Sequence, residues 1–280
     1  MNDSARVWFV TGCSSGLGRA LAERIIAEGD LLIATARRPE SLAPLEKLAP
    51  DSVRVFALDV ADPDAVRRVV AEAHAVWGRL DVIVNNAGYG LLGALEECAD
   101  DQIMRNFATN LLGPIHVMRA ALPLLRARRS GHIINLSAAA AIANYAGFGV
   151  YGGAKCGLEG VSEAVRAEVA PLGIKVTLVQ PGPFRTDFIA RSLERAANPV
   201  ADYQATSGKF AELLSRVDGR QPGDPRRAAA AIVRMVQEGR APQRLVLGRY
   251  AIEKVRKQLR MRAAEVNEWE AAGLATDFPA

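Results

Sequence analysis

A tyrosine and a lysine stand four residues apart in the run Tyr151-Gly152-Gly153-Ala154-Lys155. Residues at this spacing share one face of a helix, so the phenol and the ammonium project into the same space. A positive charge beside a phenol favours the phenolate and lowers the phenol's pKa from its usual value near 10. The pair therefore predicts a proton-transfer group, Tyr151, supported by Lys155. Because such a pair also arises by chance, it needs support from the surrounding pattern.

That support comes from polar and small residues placed where apolar runs end. Ser137 ends the fifth run, and Asn85-Asn86-Ala87-Gly88 ends the fourth. Pro181-Gly182 follows the sixth run, with Thr186 four residues beyond the glycine, and Asn110 lies in a helical segment between the fourth and fifth runs. Carboxyl ends of parallel strands meet at one edge of a sheet, so we expect these groups to line one cleft.

Each of these residues has a plainer alternative role. Tyr151 could be a packing side chain, Ser137 a strand-end cap, and Asn110 an amide on a helix surface. What favours the cleft is agreement: five independent features fall in chain order along the same expected edge.

A glycine-rich turn, Thr11-Gly12-Cys13-Ser14-Ser15-Gly16-Leu17-Gly18, follows the first apolar run and opens a helical pattern. Glycines permit a tight turn and let backbone N–H groups approach a pyrophosphate at the helix N-terminus, where the helix dipole favours negative charge. The turn therefore predicts a dinucleotide site. A glycine required only for steric reasons is the alternative, but the strand before the turn and the helix after it favour the coenzyme.

Coenzyme choice is expected to depend on the end of the second run. A carboxylate there would bind the ribose 2′-hydroxyl and repel a 2′-phosphate. This chain has Ala36 instead, followed by Arg37 and Arg38. A guanidinium offers a charge-assisted fork to phosphate, which favours NADP(H) over NAD(H), with Arg37 the first candidate and Arg38 the second. Alternatively, both arginines only solvate a loop.

Seven short, almost continuously apolar runs alternate with helical patterns, as expected of strands buried on both faces of a parallel sheet. The alternation predicts an α/β fold with a doubly wound, seven-stranded parallel sheet flanked by helices. The runs are Arg6–Thr11, Leu31–Ala36, Val53–Leu58, Leu80–Asn85, His132–Ser137, Lys175–Gln180 and Arg244–Leu247.

Two regions depart from this rhythm. Residues 184–223 follow the sixth run without a clear strand of their own, at the place where a substrate lid would lie, although a mere surface insertion has the same signature. Residues 249–280 form a long, charged helical extension, expected to serve packing or oligomer formation. With no linker between them and the rest, residues 1–280 are expected to form one NADP(H)-binding domain.

Composition limits the function classes. Half of the 280 residues are hydrophobic, and 35 basic against 31 acidic residues give a net charge of +4, so nucleic acid is not indicated. No apolar stretch reaches membrane-spanning length and no signal peptide is visible. Three scattered cysteines indicate neither disulfides nor a zinc site and favour the cytoplasm; no ligand cluster predicts any metal.

Taken together, the TGxxxGxG turn at Thr11–Gly18, the strand-end Asn86-Ala87-Gly88 and the Tyr151/Lys155 pair resemble the short-chain dehydrogenase/reductase family, standard-length branch, over about residues 5–250. The amino-acid sequences of Val10–Gly16 and Ala34–Pro39 are similar to those of the 17β-hydroxysteroid-dehydrogenase-like and retinol-dehydrogenase-like subgroup. The resemblance implies a Rossmann-type domain and hydride transfer between NADP(H) and a carbonyl or alcohol.

The resemblance also implies roles for single residues. Tyr151 would be general acid or base, Lys155 would lower its pKa and bind the nicotinamide ribose, Ser137 would polarise the substrate oxygen, and Asn110 would complete a proton relay. Asp59 would contact the adenine. The coenzyme-binding set implied by the family comprises Gly12, Ser14, Ser15, Gly16, Leu17, Gly18, Arg37, Arg38, Asp59, Val60, Asn86, Ala87, Gly88, Tyr151, Lys155, Pro181, Gly182 and Thr186.

Substrate and partners follow less directly. Five side chains could form an apolar pocket for a bulky ketone or secondary alcohol, or could simply pack the core: Tyr89, Tyr145, Phe184, Phe188 and Ile189. The family implies a homodimer or homotetramer built on the helices after the fourth and fifth strands. A non-catalytic NADP(H) sensor or scaffold is the alternative function. A third possibility, a methyltransferase with a glycine loop on a similar sheet, does not account for the spacing of Tyr151 and Lys155.

Overall fold

The computed structural model describes residues 5–278, and a parallel sheet of seven strands lies at its centre. The strands within these residues are β1 Val7–Thr11, β2 Leu31–Ala36, β3 Val53–Ala57, β4 Val82–Asn85, β5 Gly90–Leu92, β6 Gly131–Leu136, β7 Ile174–Pro181, β8 Leu193–Arg195 and β9 Arg244–Leu247. The central sheet has the order β3-β2-β1-β4-β6-β7-β9, with every pair parallel. The predicted doubly wound α/β fold is confirmed.

Helices cover both faces of this sheet. The helices of the described residues are α1 Gly16–Ala27, α2 Ala43–Leu48, α3 Pro63–Trp77, α4 Asp100–Phe107, α5 Gly113–Arg128, α6 Ala139–Ile142, α7 Gly149–Val169, α8 Phe188–Arg191, α9 Lys209–Val217, α10 Pro225–Gln237, α11 Arg249–Glu268 and α12 Glu270–Leu274. Helices α1, α2 and α10 share one apolar layer, and α3 and α5 share the other with the end of α7. No helix within residues 5–278 is long and apolar enough to cross a bilayer.

Strand β1 shows why the apolar runs fold as they do. Trp8 and Val10 are buried in one layer, while Val7 and Phe9 are buried in the other. A strand with helices on both faces must be apolar at every position, because successive side chains point to opposite faces. All seven predicted runs become strands of the sheet, and their bounds shift by at most two residues.

A second, two-stranded parallel sheet was not predicted. Strand β5 pairs with β8, which lies inside the segment expected to have no strand of its own. That expectation is wrong, because three residues carry too little periodicity to be recognised and the partner strand is about 100 residues away in sequence. The pairing fastens residues 193–195 beside the sheet edge.

Burial of His132 on β6 predicts a pH-dependent stability. The ring is 5% exposed, its Nε2 lies 2.9 Å from Thr177 Oγ1, and burial, reinforced by Lys175 and Arg166, lowers its pKa to about 4. Between pH 6.5 and pH 4 His132 is protonated in the unfolded chain but neutral in the folded chain. The free energy of unfolding therefore decreases as pH falls toward 4. The loss should reach about 2–3 kcal/mol at pH 4.

Urea denaturation at pH 7, 5.5 and 4 measures this. The His132→Gln variant keeps a polar side chain without a titrating ring, so its free energy of unfolding should depend less steeply on pH over that interval. Equal slopes for the two proteins would contradict the prediction.

Candidate active site

One cavity of about 950 Å³ extends from the glycine turn after β1, past the carboxyl ends of β4, β6 and β7, to residues 184–222. All but one of the predicted site residues line it; Arg38 is the exception. Those that line it are Gly12, Ser14, Ser15, Gly16, Leu17, Gly18, Arg37, Asp59, Val60, Asn86, Ala87, Gly88, Asn110, Ser137, Tyr151, Lys155, Pro181, Gly182 and Thr186.

The glycine turn has steric reasons for each of its three glycines. Gly12 has φ +73° and Gly16 has φ +60°, in the left-handed region that favours glycine. A Cβ on Gly12 would lie 2.9 Å from Ala87 Cα, and a Cβ on Gly18 would overlap the Asn86 side chain. Gly16 stands at the first position of α1, with Thr186 opposite. The turn therefore presents backbone at a helix N-terminus, which suits a pyrophosphate.

Thr11 and Asn86 hold this turn to the end of β4. Thr11 Oγ1 accepts hydrogen bonds from the N–H groups of Asn86 and Ala87, at 2.9 and 3.0 Å. The Asn86 amide donates to the carbonyls of Thr11 and Gly12, at 2.8 and 3.0 Å. Asn86, expected as a coenzyme-binding residue, thus also fixes the distance between two strand ends. Thr11 was missed, although a hydroxyl at the end of a buried strand was a visible signal.

The residues expected to choose the coenzyme lie at the far end of the cavity. Arg37 is exposed and lines the cavity next to buried Ala36, and within residues 5–278 it forms no ion pair, so its guanidinium is free to bind a phosphate. Arg38 is exposed but does not line the cavity. Asp59 lines the cavity and accepts a hydrogen bond from the N–H of Ala61.

Tyr151 and Lys155 lie one turn apart on α7, as predicted, and both are buried. Lys155 Nζ is 6.0 Å from the centroid of the Tyr151 ring and donates to the Leu136 carbonyl at 2.8 Å. Burial lowers the pKa of Lys155 to about 8 and raises the pKa of Tyr151 above its usual value. The expected lowering of the phenol's pKa is therefore not found, because desolvation of Tyr151 outweighs a lysine whose own charge is disfavoured.

Asn110 is fully buried in a π-helical turn, Ala108–Leu112, between α4 and α5. Its amide donates to the carbonyls of Tyr89 and Asn106, at 2.8 and 3.1 Å, and its Oδ1 accepts from the N–H of Tyr89 at 3.3 Å. A Cβ on Gly88 would lie 2.5 Å from Asn110 Oδ1 and 3.4 Å from Lys155 Nζ. The absence of a side chain at Gly88 therefore lets Asn110 and Lys155 approach the same point.

Ser137 departs from its predicted orientation. It lines the cavity, but its hydroxyl is buried and donates to Glu159 Oε1 at 2.7 Å. Glu159 also accepts hydrogen bonds from Gln180 at 2.6 Å and from Arg244 at 3.0 Å, and its side chain is only 5% exposed. The neighbouring Ala138 belongs instead to the apolar cluster of Tyr151. The hydroxyl expected to polarise a substrate oxygen is thus committed to satisfying a buried carboxylate.

Replacing Ser137 with alanine is therefore expected to affect stability more than turnover. The variant removes one of three donors to buried Glu159, which should lower the free energy of unfolding by about 1–2 kcal/mol. The fall in kcat should remain below the ~10²-fold that loss of a general acid produces. Urea denaturation and steady-state rates measure the two effects; a fall in kcat as large as that of Tyr151→Phe would restore the original role.

Ala138→Ser is the matched variant for this test. It adds a hydroxyl to the neighbouring side chain, in the cluster that contains Tyr151. A second donor near the substrate oxygen should raise kcat/KM for a ketone by about fivefold to tenfold, the effect of one hydrogen bond of about 1 kcal/mol.

The other end of the cavity is aromatic. The ring of Tyr151 packs against Phe148 at 5.2 Å and against Phe188 at 5.9 Å, and Phe148 contacts Phe210 at 5.0 Å. Tyr145 stacks on Phe210 at 4.6 Å. Tyr89, Phe184 and Ile189, also predicted from sequence, line the cavity as well, whereas Phe210 of α9 was missed. The wall around Tyr151 is therefore large and apolar.

Two buried polar side chains outside the cavity hold the segment that carries this wall. Glu97 accepts hydrogen bonds from the N–H groups of Val200 and Ala94, at 2.9 and 2.6 Å, and these bonds lower its pKa. Gln102 accepts from the N–H of Ala197 at 3.0 Å and donates to the carbonyl of Arg195 at 2.9 Å. Residues 195–200 are thereby fixed to the segment after β5, an anchorage that the sequence did not reveal.

Comparison with known proteins identifies the family. The sequence profile described as "short chain dehydrogenase" matches residues 6–197. The chain belongs to this family. Oxidoreductase BOA17 of Botryotinia fuckeliana is 37% identical over 272 residues, which cover 97% of this chain and 99% of that protein. A 3-ketodihydrosphingosine reductase of Bacteroides thetaiotaomicron is 33% identical, over 87% of this chain and 88% of the reductase.

Solved structures of other dehydrogenases agree. A short-chain dehydrogenase from Streptomyces avermitilis superposes with a TM-score of 0.92 and 40% identity, covering 99% of this chain and all of that one. A serine dehydrogenase complexed with NADP+ has a TM-score of 0.74 and 27% identity, covering 86% and 94%. A Burkholderia phymatum member in complex with NAD shares the fold, with a TM-score of 0.82, 22% identity and coverage of 95% and 96%. This chain is thus an oxidoreductase of the short-chain dehydrogenase family.

Proposed function

We propose that this dehydrogenase uses NADP(H) to interconvert a bulky apolar ketone and the corresponding secondary alcohol, with Tyr151 as the proton donor and acceptor. The observation that carries the proposal is the position of the Tyr151/Lys155 pair, where the cavity passes from the glycine turn to the aromatic wall. A nicotinamide placed from the turn side and a substrate placed from the aromatic side would meet at the phenol.

The coenzyme fits the residues on its side of the cavity. The backbone of residues 12–18 would hold the pyrophosphate, Asp59 and Val60 would lie along the adenine, and Thr186, opposite Gly16, would hold the carboxamide. Arg37 would bind the 2′-phosphate, and Arg38 would add long-range attraction only. When bound, the nicotinamide supplies or accepts the hydride.

The chain's own residues then handle the proton. In reduction the Tyr151 hydroxyl gives its proton to the substrate oxygen as the hydride reaches the carbonyl carbon, so the products are an alcohol and a phenolate. Lys155, held by the Leu136 carbonyl, stabilises that phenolate through its positive charge. Asn110, through its bonds to Tyr89, fixes the cavity wall beside Lys155. A water molecule at this wall would return a proton to the Tyr151 phenolate. Oxidation runs the same transfers in reverse.

Substrate size is inferred from the aromatic wall. Phe148 and Phe188 pack against the phenol ring and Phe210 packs against Phe148. The Lys254 ammonium lies over the ring of Tyr145, which stacks on Phe210. Burial of an apolar substrate would be favourable by about 25 cal/mol per Å². Residues 184–223 act as a lid over the substrate. They belong to the single domain proposed for residues 1–280. The Bacteroides relative is named for 3-ketodihydrosphingosine, a ketone that is apolar like the substrate proposed here. The free cysteines suit a reducing cytoplasm.

Initial rates of NADPH and NADH oxidation with methyl ketones of increasing chain length, and with cyclic ketones, test this function. We expect kcat/KM to rise with apolar size and to be higher for NADPH. Activity confined to small polar carbonyls would refute the substrate class. NADPH binding without turnover of any ketone, aldehyde or quinone would instead support a sensor or scaffold.

A further inference from the structure

The C-terminal segment lacks a packed face over most of its length. In α11 only Ala251 and Val255 are buried, against α6 and β9. From Leu259 to Phe278 every residue is exposed. Arg262 donates a hydrogen bond to the Ile142 carbonyl at 2.9 Å, but the apolar burial from which most helix stability in proteins comes ends at Val255. The rest of the segment therefore lacks the apolar packing that Ala251 and Val255 have.

Apolar residues recur along the segment with a period of seven. Ile252, Leu259 and Val266 occupy one series, and Val255 and Trp269 occupy a second that Arg262 interrupts. This is the repeat of paired helices. The first turn of the stripe is packed on the protein through Val255. Beyond it Leu259, Val266 and Trp269 are 53, 69 and 65% exposed, so the stripe continues into solvent.

Charge is divided between the two halves of the segment. Residues 249–262 contain six basic side chains and one acidic one, whereas residues 263–278 contain four acidic side chains and no basic one. An anionic membrane or nucleic acid would attract the first half and repel the second. A second copy laid antiparallel places each basic half against an acidic half, and an antiparallel pair of identical helices satisfies the two-fold symmetry of a dimer.

We infer that residues 252–278 pair with the same segment of a second copy of this chain, in antiparallel orientation. The pair crosses near Ala263 and Ala264, whose small side chains let the helices approach closely. Leu259 and Val266 face each other across the two-fold axis. None of these four residues lines the cavity, so the surface is separate from the proposed active site.

Sedimentation velocity of the full-length protein tests the pairing at a stated concentration, about 10 μM, because association depends on protomer concentration. The variant Leu259→Lys/Val266→Lys should lose one step of association, halving the mass of wild type, while its Kd for NADPH stays unchanged. Leu48→Lys, another exposed apolar position on α2 (61%), is the control and should keep the wild-type mass. A monomeric wild type, or an unchanged mass in the double variant, would overturn the inference.

Charge reversal tests the orientation. In the antiparallel register, positions 257 and 260 face positions 268 and 265 of the other copy. Lys257→Glu/Arg260→Glu therefore sets acidic groups against Glu268 and Glu265, and Glu265→Lys/Glu268→Lys sets basic groups against Arg260 and Lys257. Each variant alone should lose the association step through like-charge repulsion, and a 1:1 mixture should regain it as a mixed pair. A mixture that fails to associate would exclude antiparallel pairing.

A crosslink distinguishes a second copy from any other partner. In a Cys156→Ser background, Ala264→Cys lies near the proposed crossing point and should form an intermolecular disulfide under mild oxidation, whereas Ala275→Cys should not. Wild-type protein that floats with phosphatidylcholine–phosphatidylserine vesicles as a monomer, and loses this in Leu259→Lys/Val266→Lys, would assign the stripe to a membrane and overturn the proposal.

Discussion

Replacing Tyr151 with phenylalanine is expected to lower kcat by about 10²–10⁴-fold, the usual contribution of a positioned general acid. The change removes one oxygen atom and leaves the ring packed against Phe148 and Phe188. The fold should therefore persist, and the Kd for NADPH, measured by fluorescence titration, should hardly change. The loss belongs to the chemical step, because the substrate oxygen has no proton source once the hydroxyl is gone.

Tyr145→Phe is the matched control. It also removes a phenol oxygen from a ring that lines the cavity, but that hydroxyl donates to the Tyr250 hydroxyl at 3.0 Å. Its kcat should stay close to that of wild type. Similar losses in both variants would indicate a general effect on the aromatic wall, and a Tyr151→Phe variant with nearly full activity would end the proposal that this phenol moves the proton.

The second large effect is expected at the 2′-phosphate end. Ala36→Asp combined with Arg37→Ala should reduce the ratio of kcat/KM for NADPH to that for NADH by about 10²-fold, since one charge-assisted hydrogen bond of about 1.5–3 kcal/mol is lost and a like charge is introduced. Arg37 lines the cavity and forms no ion pair within residues 5–278, so its loss should not be masked by a rearranged ion pair.

Arg38→Ala tests whether the coenzyme ratio depends on Arg37 itself or on any arginine close to the 2′-phosphate. Arg38 does not line the cavity, so its removal should change the coenzyme ratio far less than removal of Arg37. Steady-state kinetics with both coenzymes compares the two variants with wild type, and thermal unfolding checks that aspartate at the buried position 36 is tolerated. An unchanged ratio in the double variant would show that neither residue chooses the coenzyme.

The sheet and the location of the cleft were predictable because a single physical rule governs them. Strands covered on both faces must be apolar throughout, and the seven runs that meet this condition became the seven strands. Polar residues directly after such strands can only lie at the carboxyl edge. The glycine turn, Tyr151 and Lys155 therefore reached one cavity as expected.

The orientation of Ser137 needed more than position along the chain. Its direction is set by alternation along β6, in which Asn135 and Ser137 point to the same side, toward α7. The carboxylate that captures the hydroxyl, Glu159, lies on α7 one turn beyond Lys155, and nothing local to Ser137 announces it. The pairing of β5 with β8 and the anchoring by Glu97 and Gln102 depend likewise on contacts about 100 residues apart.

That anchorage has a consequence for how tightly a substrate can be held. Residues 184–223 would, if fastened only at their ends, sample the conformations of a forty-residue loop, and fixing each residue costs about 1–2 kcal/mol of conformational entropy. Strand β8 and the bonds to Glu97 and Gln102 order the middle of the segment whatever occupies the cavity. A ligand then has to immobilise only the remainder, so less of its contact energy is lost to chain entropy.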